Sequence, residues 1–158
     1  MSQASDRAAA RYSQPALKEA LTCEHLESTF RDESSAAIEC AYFSRIAEIE
    51  GEPEMARALR ELGEQHAINA KGSLDLLMRA REPLTGRPMG STVENIAALR
   101  SFYAGDAEVE DRRARTARNE GFSDIASWFQ SLSRLRHAHA ERLASVTSTD
   151  ADVGVEPS

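Results

Sequence analysis

Glu50-Gly51-Glu52-Pro53-Glu54-Met55-Ala56 is answered, 70 residues on, by Glu120-Gly121-Phe122-Ser123-Asp124-Ile125-Ala126, and this echo decides the fold. Each stretch sets a glycine, the residue best able to end a helix in a left-handed turn, two residues before a helix starter, Pro53 or Ser123. The same offset of 70 carries Thr22 to Thr92, Glu24 to Glu94, Leu26 to Ile96, Leu59 to Phe129 and Leu62 to Leu132, with no gap. An internal repeat of this length means two copies of one supersecondary unit. Here the unit is a helical hairpin, too thin to bury its own apolar stripe, so two copies are expected to pack as an all-α antiparallel four-helix bundle.

Outward from the two turns, the spacing predicts a first helix from Cys23 to about Glu50 with Thr22 as N-cap, and a second from Pro53 to about Ala80. Pro83, Gly86, Pro88 and Gly90 make residues 81–90 a connection. Ser91 and Glu94 form a capping-box pattern for a third helix reaching Asn119, and Ser123 opens a fourth that reaches about Ser145. No segment alternates as a strand does. Residues 1–21 read as a leader with a short helix over Ala16–Leu21, residues 22–145 as the bundle, and residues 146–158 as a disordered acidic tail.

The chain has 158 residues, 41% hydrophobic and 28% charged, with formal net charge -7. That length and composition suit one globular domain. The negative charge speaks against a nucleic-acid partner and against an anionic membrane surface. No apolar run approaches the ~20 residues that span a bilayer. The polar N-terminus lacks the apolar core of a secretory signal. Cys23 and Cys40, the only cysteines, fit small packed thiols in a reducing cytoplasm rather than a disulfide framework.

Positions equally far from a hairpin turn lie at about the same height. Glu33 and Asn69 are each 18 residues from Gly51, as Tyr103 and His139 are from Gly121. Ala36 and His66 are each 15 residues from Gly51, as Asp106 and Arg136 are from Gly121. One layer is therefore expected to hold Glu33, Asn69, Tyr103 and His139, and the next, ~4.5 Å along, Ala36, His66, Asp106 and Arg136. Spacings of three and four put these residues on the core-facing seam. Leu59 and Leu62 lead into His66 and Asn69, then Leu76, while Ile125, Phe129 and Leu132 lead into Arg136 and His139, then Leu143. Polar groups on such a seam cost several kcal/mol unless partnered, so the set marks either a site or a self-satisfied network, with Arg136 as counter-ion to Glu33 and Asp106. Glu108, Glu110 and Asp111, before Arg112 and Arg113, read as a solvated face, His25 and His137 as surface residues, and Trp128 as core or interface packing.

From about Thr22 to Leu143 the chain resembles the rubrerythrin family of ferritin-like proteins. The resemblance lies in Phe30-Arg31-Asp32-Glu33-Ser34 with Tyr42-Phe43, in the stretch Pro83–Thr92, in Glu94-Asn95, and in Asn119–Phe129 running on to His139-Ala140-Glu141-Arg142. It implies a carboxylate-rich diiron centre between two hairpins that reduces peroxide or reacts with oxygen, fed by a rubredoxin-type iron centre. Glu33 matches the family's first-helix glutamate. Where the family has Glu-x-x-His this chain has His66-x-x-Asn69; where it has Glu-x-x-Glu, Tyr103-x-x-Asp106; where it has Glu-x-x-His again, Arg136-x-x-His139. The chain carries no CxxC pair of the rubredoxin kind. Two irons need several bridging carboxylates, so this set argues against an intact diiron centre. Three readings follow. The first is a metal-free polar network or small-molecule pocket, with Asn69, Tyr103 and Arg136 as ligand-binding groups. The second is an oxidoreductase with one Fe, Mn or Zn ion on Glu33, His66, Asp106 and His139, with Tyr103 and Arg136 as catalytic groups. The third is a structural, homodimerising module.

Overall fold

A computed structural model describes residues 16–152 of the chain. A 3-10 turn at Leu17–Glu19 precedes four helices: α1 (Leu21–Glu50), α2 (Pro53–Leu77), α3 (Thr92–Asn119) and α4 (Ser123–Asp152). Among the described residues there is no strand, and no helix is long and apolar enough to cross a membrane. The chain divides into two compact units at the Met89–Gly90 bond, one built on α1 and α2 and the other on α3 and α4. The expected leader at residues 1–15 and the last residues of the expected tail, 153–158, lie outside the described residues.

Both turns are built the same way. Gly51 and Gly121 take φ of 80° and 90°, the left-handed region that glycine enters without a Cβ clash. The Glu52 N–H donates to the Ala47 carbonyl and the Phe122 N–H to the Ala117 carbonyl, each at 2.8 Å. Gly51 donates to Glu48 at 3.3 Å and Gly121 to Arg118 at 3.2 Å. These paired bonds are a Schellman stop, and they repeat at the 70-residue offset read from the sequence.

Four boundaries differ from expectation. Thr22 is not a cap: Ala20 stands at the N-cap of α1 with no side-chain hydrogen bond. The short helix over Ala16–Leu21 is only the 3-10 turn, whose Glu19 and Ala20 N–H groups donate back to Ala16 and Leu17. Helix α2 ends at Leu77, because the Arg79 and Ala80 N–H groups turn inward to the Leu76 and Leu77 carbonyls, a tighter pattern. Helix α4 passes Ser145 and runs to Asp152, since nothing from Val146 to Asp152 removes a backbone donor or forces a turn. The Ser91 cap is as expected. Its Oγ accepts from the Glu94 N–H at 3.3 Å, and the Glu94 carboxylate accepts from the Ser91 N–H at 2.7 Å. That bond holds the Glu94 carboxyl below the usual glutamate range.

Small residues form the seam inside each hairpin. Between α1 and α2 the buried positions are Ser44, Ala47, Ala56, Gly63, Ala70 and Ser73. Between α3 and α4 they are Ala107, Glu110, Ala114, Ala117, Ala126 and Ser133. Small side chains let two backbones approach closely, and Ser44 Oγ spans the gap to donate to the Ala56 carbonyl at 2.8 Å. Larger residues fall outside this seam. Leu62, Leu76 and Ile125, on the apolar stripe, stay 43–52% exposed, and Trp128, read as core or interface packing, is 62% exposed. The first hairpin adds an apolar plug at its open end, where Leu77 is fully buried against Cys23 and Ala80, with Leu17, Leu26 and Phe30 around it. Burying Leu77 contributes about 2 kcal/mol.

Candidate functional site

Each hairpin brings its own polar positions together. In the first, α1 carries Glu33 and α2 carries His66 and Asn69, with the α1–α2 turn setting their heights. Glu33 Oε2 accepts from His66 Nδ1 at 2.8 Å and from Asn69 Nδ2 at 3.1 Å. Asn69 Oδ1 in turn accepts from Gln65 Nε2 at 3.1 Å. His66 was expected level with Ala36, which has no polar group to offer, so its ring reaches one turn along to Glu33. The two donors hold the Glu33 carboxyl below the usual glutamate range, His66 being the larger cause. An ionised Glu33 requires a donor opposite it, which fixes His66 as the Nδ1–H tautomer or the imidazolium.

The pH consequence has a definite sign. A carboxyl lowered by folding adds stability that is fully present above its unfolded value of 4.5 and is lost as pH falls through the folded value. Glu27 behaves alike, lowered chiefly by Arg81, whose Nε donates to Glu27 Oε1 at 2.5 Å. In Glu33→Gln the acid side of the stability–pH curve should flatten in part, with Glu27 supplying what remains. Urea midpoints between pH 3 and pH 7 check this, and an unchanged acid limb would exclude a stabilising role for the Glu33 charge.

In the second hairpin α3 carries Tyr103 and Asp106, and α4 carries Arg136 and His139. Arg136 Nε donates to Asp106 Oδ2 at 2.7 Å, with the two side chains 28% and 18% exposed. The Arg136 guanidinium carbon stands 5.7 Å from the Tyr103 ring centroid, within cation–π range. The His139 ring meets Tyr103 edge-on at 5.1 Å, and Phe102 flanks Tyr103 at 5.6 Å. His139 Nδ1 is buried and has no hydrogen-bond partner.

Glu110 overturns one expectation. Read as part of a solvated face, it is 3% exposed, deep in the α3–α4 seam. Arg113 Nη1 donates to its Oε1 at 2.6 Å, while Oε2 has no partner. The repeat held the signal, since Glu110 is the counterpart of Cys40 and lies three residues from buried Ala107 and four from buried Ala114. The run of charges around it masked that spacing. His25 and His137 are exposed, as expected.

The donors present do not fit a diiron centre. Such a centre needs several carboxylates with free lone pairs. Of the two acids expected at such a centre, Glu33 accepts two protein hydrogen bonds on one oxygen and Asp106 is paired with a permanent cation. Among the described residues, no group of three or more His, Cys, Asp or Glu is placed to hold a metal ion.

No protein-family model matches the chain. It is 31% identical over 134 residues to rubrerythrin of Porphyromonas gingivalis, a match covering 80% of this chain and 66% of that protein. It is 27% identical over 138 residues to rubrerythrin-1 of Clostridium acetobutylicum, covering 80% of this chain and 69% of that protein. The chain thus spans about two thirds of the length of these curated relatives. Two repeated helical hairpins and this identity along most of the sequence agree: the chain belongs to the rubrerythrin family of ferritin-like, all-α four-helix proteins.

Proposed function

We propose that this protein is a rubrerythrin-family member that works without a diiron centre, its ligand positions converted into partnered protein charge. The observation that carries the reading is the Arg136–Asp106 pair. A guanidinium keeps its charge at any pH at which the protein folds, so where the family pattern has a glutamate this chain holds a fixed cation already neutralising the nearest acid. The Glu33 carboxylate supports the same reading, because His66 and Asn69 already occupy its Oε2 and compensate its charge. A metal ion competes poorly for an acid that is already charge-compensated and hydrogen-bonded.

Protein purified without chelator from iron-, manganese- and zinc-supplemented cells should then contain well under one metal ion per chain and show no visible absorption. Stoichiometric metal of any of the three kinds overturns the reading. It would favour the single-ion oxidoreductase on Glu33, His66, Asp106 and His139 instead.

A further inference from the structure

The polar groups of the second hairpin are not used up by one another. Arg136 carries five N–H donors, and among the described residues the protein takes only the one on Nε, leaving the Nη1–Nη2 edge without a protein acceptor. His139, three residues along on the same face of α4, buries an Nδ1 that meets no donor or acceptor. Both side chains rest against one ring, Tyr103, the guanidinium carbon at 5.7 Å and the imidazole at 5.1 Å. A buried ring nitrogen without a partner costs on the order of 1–3 kcal/mol, a cost that a ligand atom placed there would relieve.

We infer that the free edge of Arg136 and the buried Nδ1 of His139, set on the Tyr103 ring, bind a small planar monovalent oxyanion of the carboxylate or bicarbonate kind. This deepens the metal-free reading, on which it rests. A planar carboxylate takes two parallel hydrogen bonds from a guanidinium edge. Asp106 on the Nε side leaves the pair formally neutral, so a doubly charged anion gains little there while a single charge is tolerated. Arg136 is 28% exposed, so its free edge is reachable from solvent. Asp106 itself, held on Nε, keeps the guanidinium from turning away.

The test uses the full-length protein titrated with formate and, separately, bicarbonate, with sodium chloride holding ionic strength constant and melting temperature as the readout. A saturable rise with one or both anions, absent with sulfate at equal ionic strength, is expected, and the two arms separate a carboxylate from a bicarbonate ligand. Arg136→Lys keeps a charge opposite Asp106 but loses the planar fork, and should weaken the response by roughly tenfold. His139→Phe, which keeps a ring against Tyr103 but removes Nδ1, should weaken it too, and serves if the lysine variant does not fold. A rise that chloride or sulfate reproduces, or one that survives in both variants, overturns the inference. Metal content measured on the same samples separates this failure from failure of the metal-free reading, since a metal-free protein that ignores the anions refutes only the site.

Discussion

Arg136→Ala is expected to lower the unfolding free energy by about 2 kcal/mol, below the ~3–5 kcal/mol of a fully buried pair because both partners retain some solvent. The loss comes less from the attraction removed than from Asp106, whose carboxylate is 18% exposed and would be left without a counter-charge. The double variant Asp106→Ala/Arg136→Ala should therefore recover part of that loss, because no uncompensated ion remains. Urea unfolding followed by far-UV circular dichroism reads all three variants, and the double-mutant cycle isolates the pair. A single-variant cost under about 0.5 kcal/mol would place the pair among weak surface ion pairs and remove the main support for fixed charge at this position.

Gly63→Leu should cost more, at least about 3 kcal/mol, at the upper end of overpacking effects. An ideal Cβ at Gly63 would sit 3.2 Å from the Ala37 carbonyl oxygen and 3.3 Å from Cys40 Cβ. The first is backbone and cannot rotate away, so the further carbons of leucine must push α1 and α2 apart along the seam. Glu33 and His66 lie within about a turn of this contact, so their 2.8 Å hydrogen bond should be lost with it. Gly63→Ala separates the two effects at work. It gains up to about 1 kcal/mol of helix propensity and meets only the tight Cβ contact, so it should fall well short of leucine. Thermal unfolding of the two variants tests the seam, and a leucine variant as stable as alanine would mean that the helices can separate there freely.

The repeat made most of the fold legible. Helix-stop glycines, a proline or serine two residues later and a capping box are local signals, and Gly51, Gly121 and Ser91 act as their sequence neighbourhoods require. The heights of the polar residues followed too, because an antiparallel hairpin with a defined turn has one register. Glu33 beside Asn69, Tyr103 beside His139 and Asp106 beside Arg136 come from counting away from two glycines. What the pattern left open was the content of the seam inside each hairpin. Apolar periodicity marks a face but not which of two adjacent faces meets the nearest helix. Small residues, Ala56, Gly63 and Ala126 among them, make that close contact.

Local chemistry written in the chain thus determined the helices, the two glycine stops and the height of each candidate residue within its hairpin, because each depends on neighbours a few positions away or on a count from a turn. Partner choice did not follow from it. Whether His66 meets Ala36 or Glu33, whether Arg136 spends one donor or five, and whether Glu110 faces water or the seam depend on side-chain reach across a gap between backbones. That gap is set by packing of small residues far apart in sequence, so only the tertiary structure decides it.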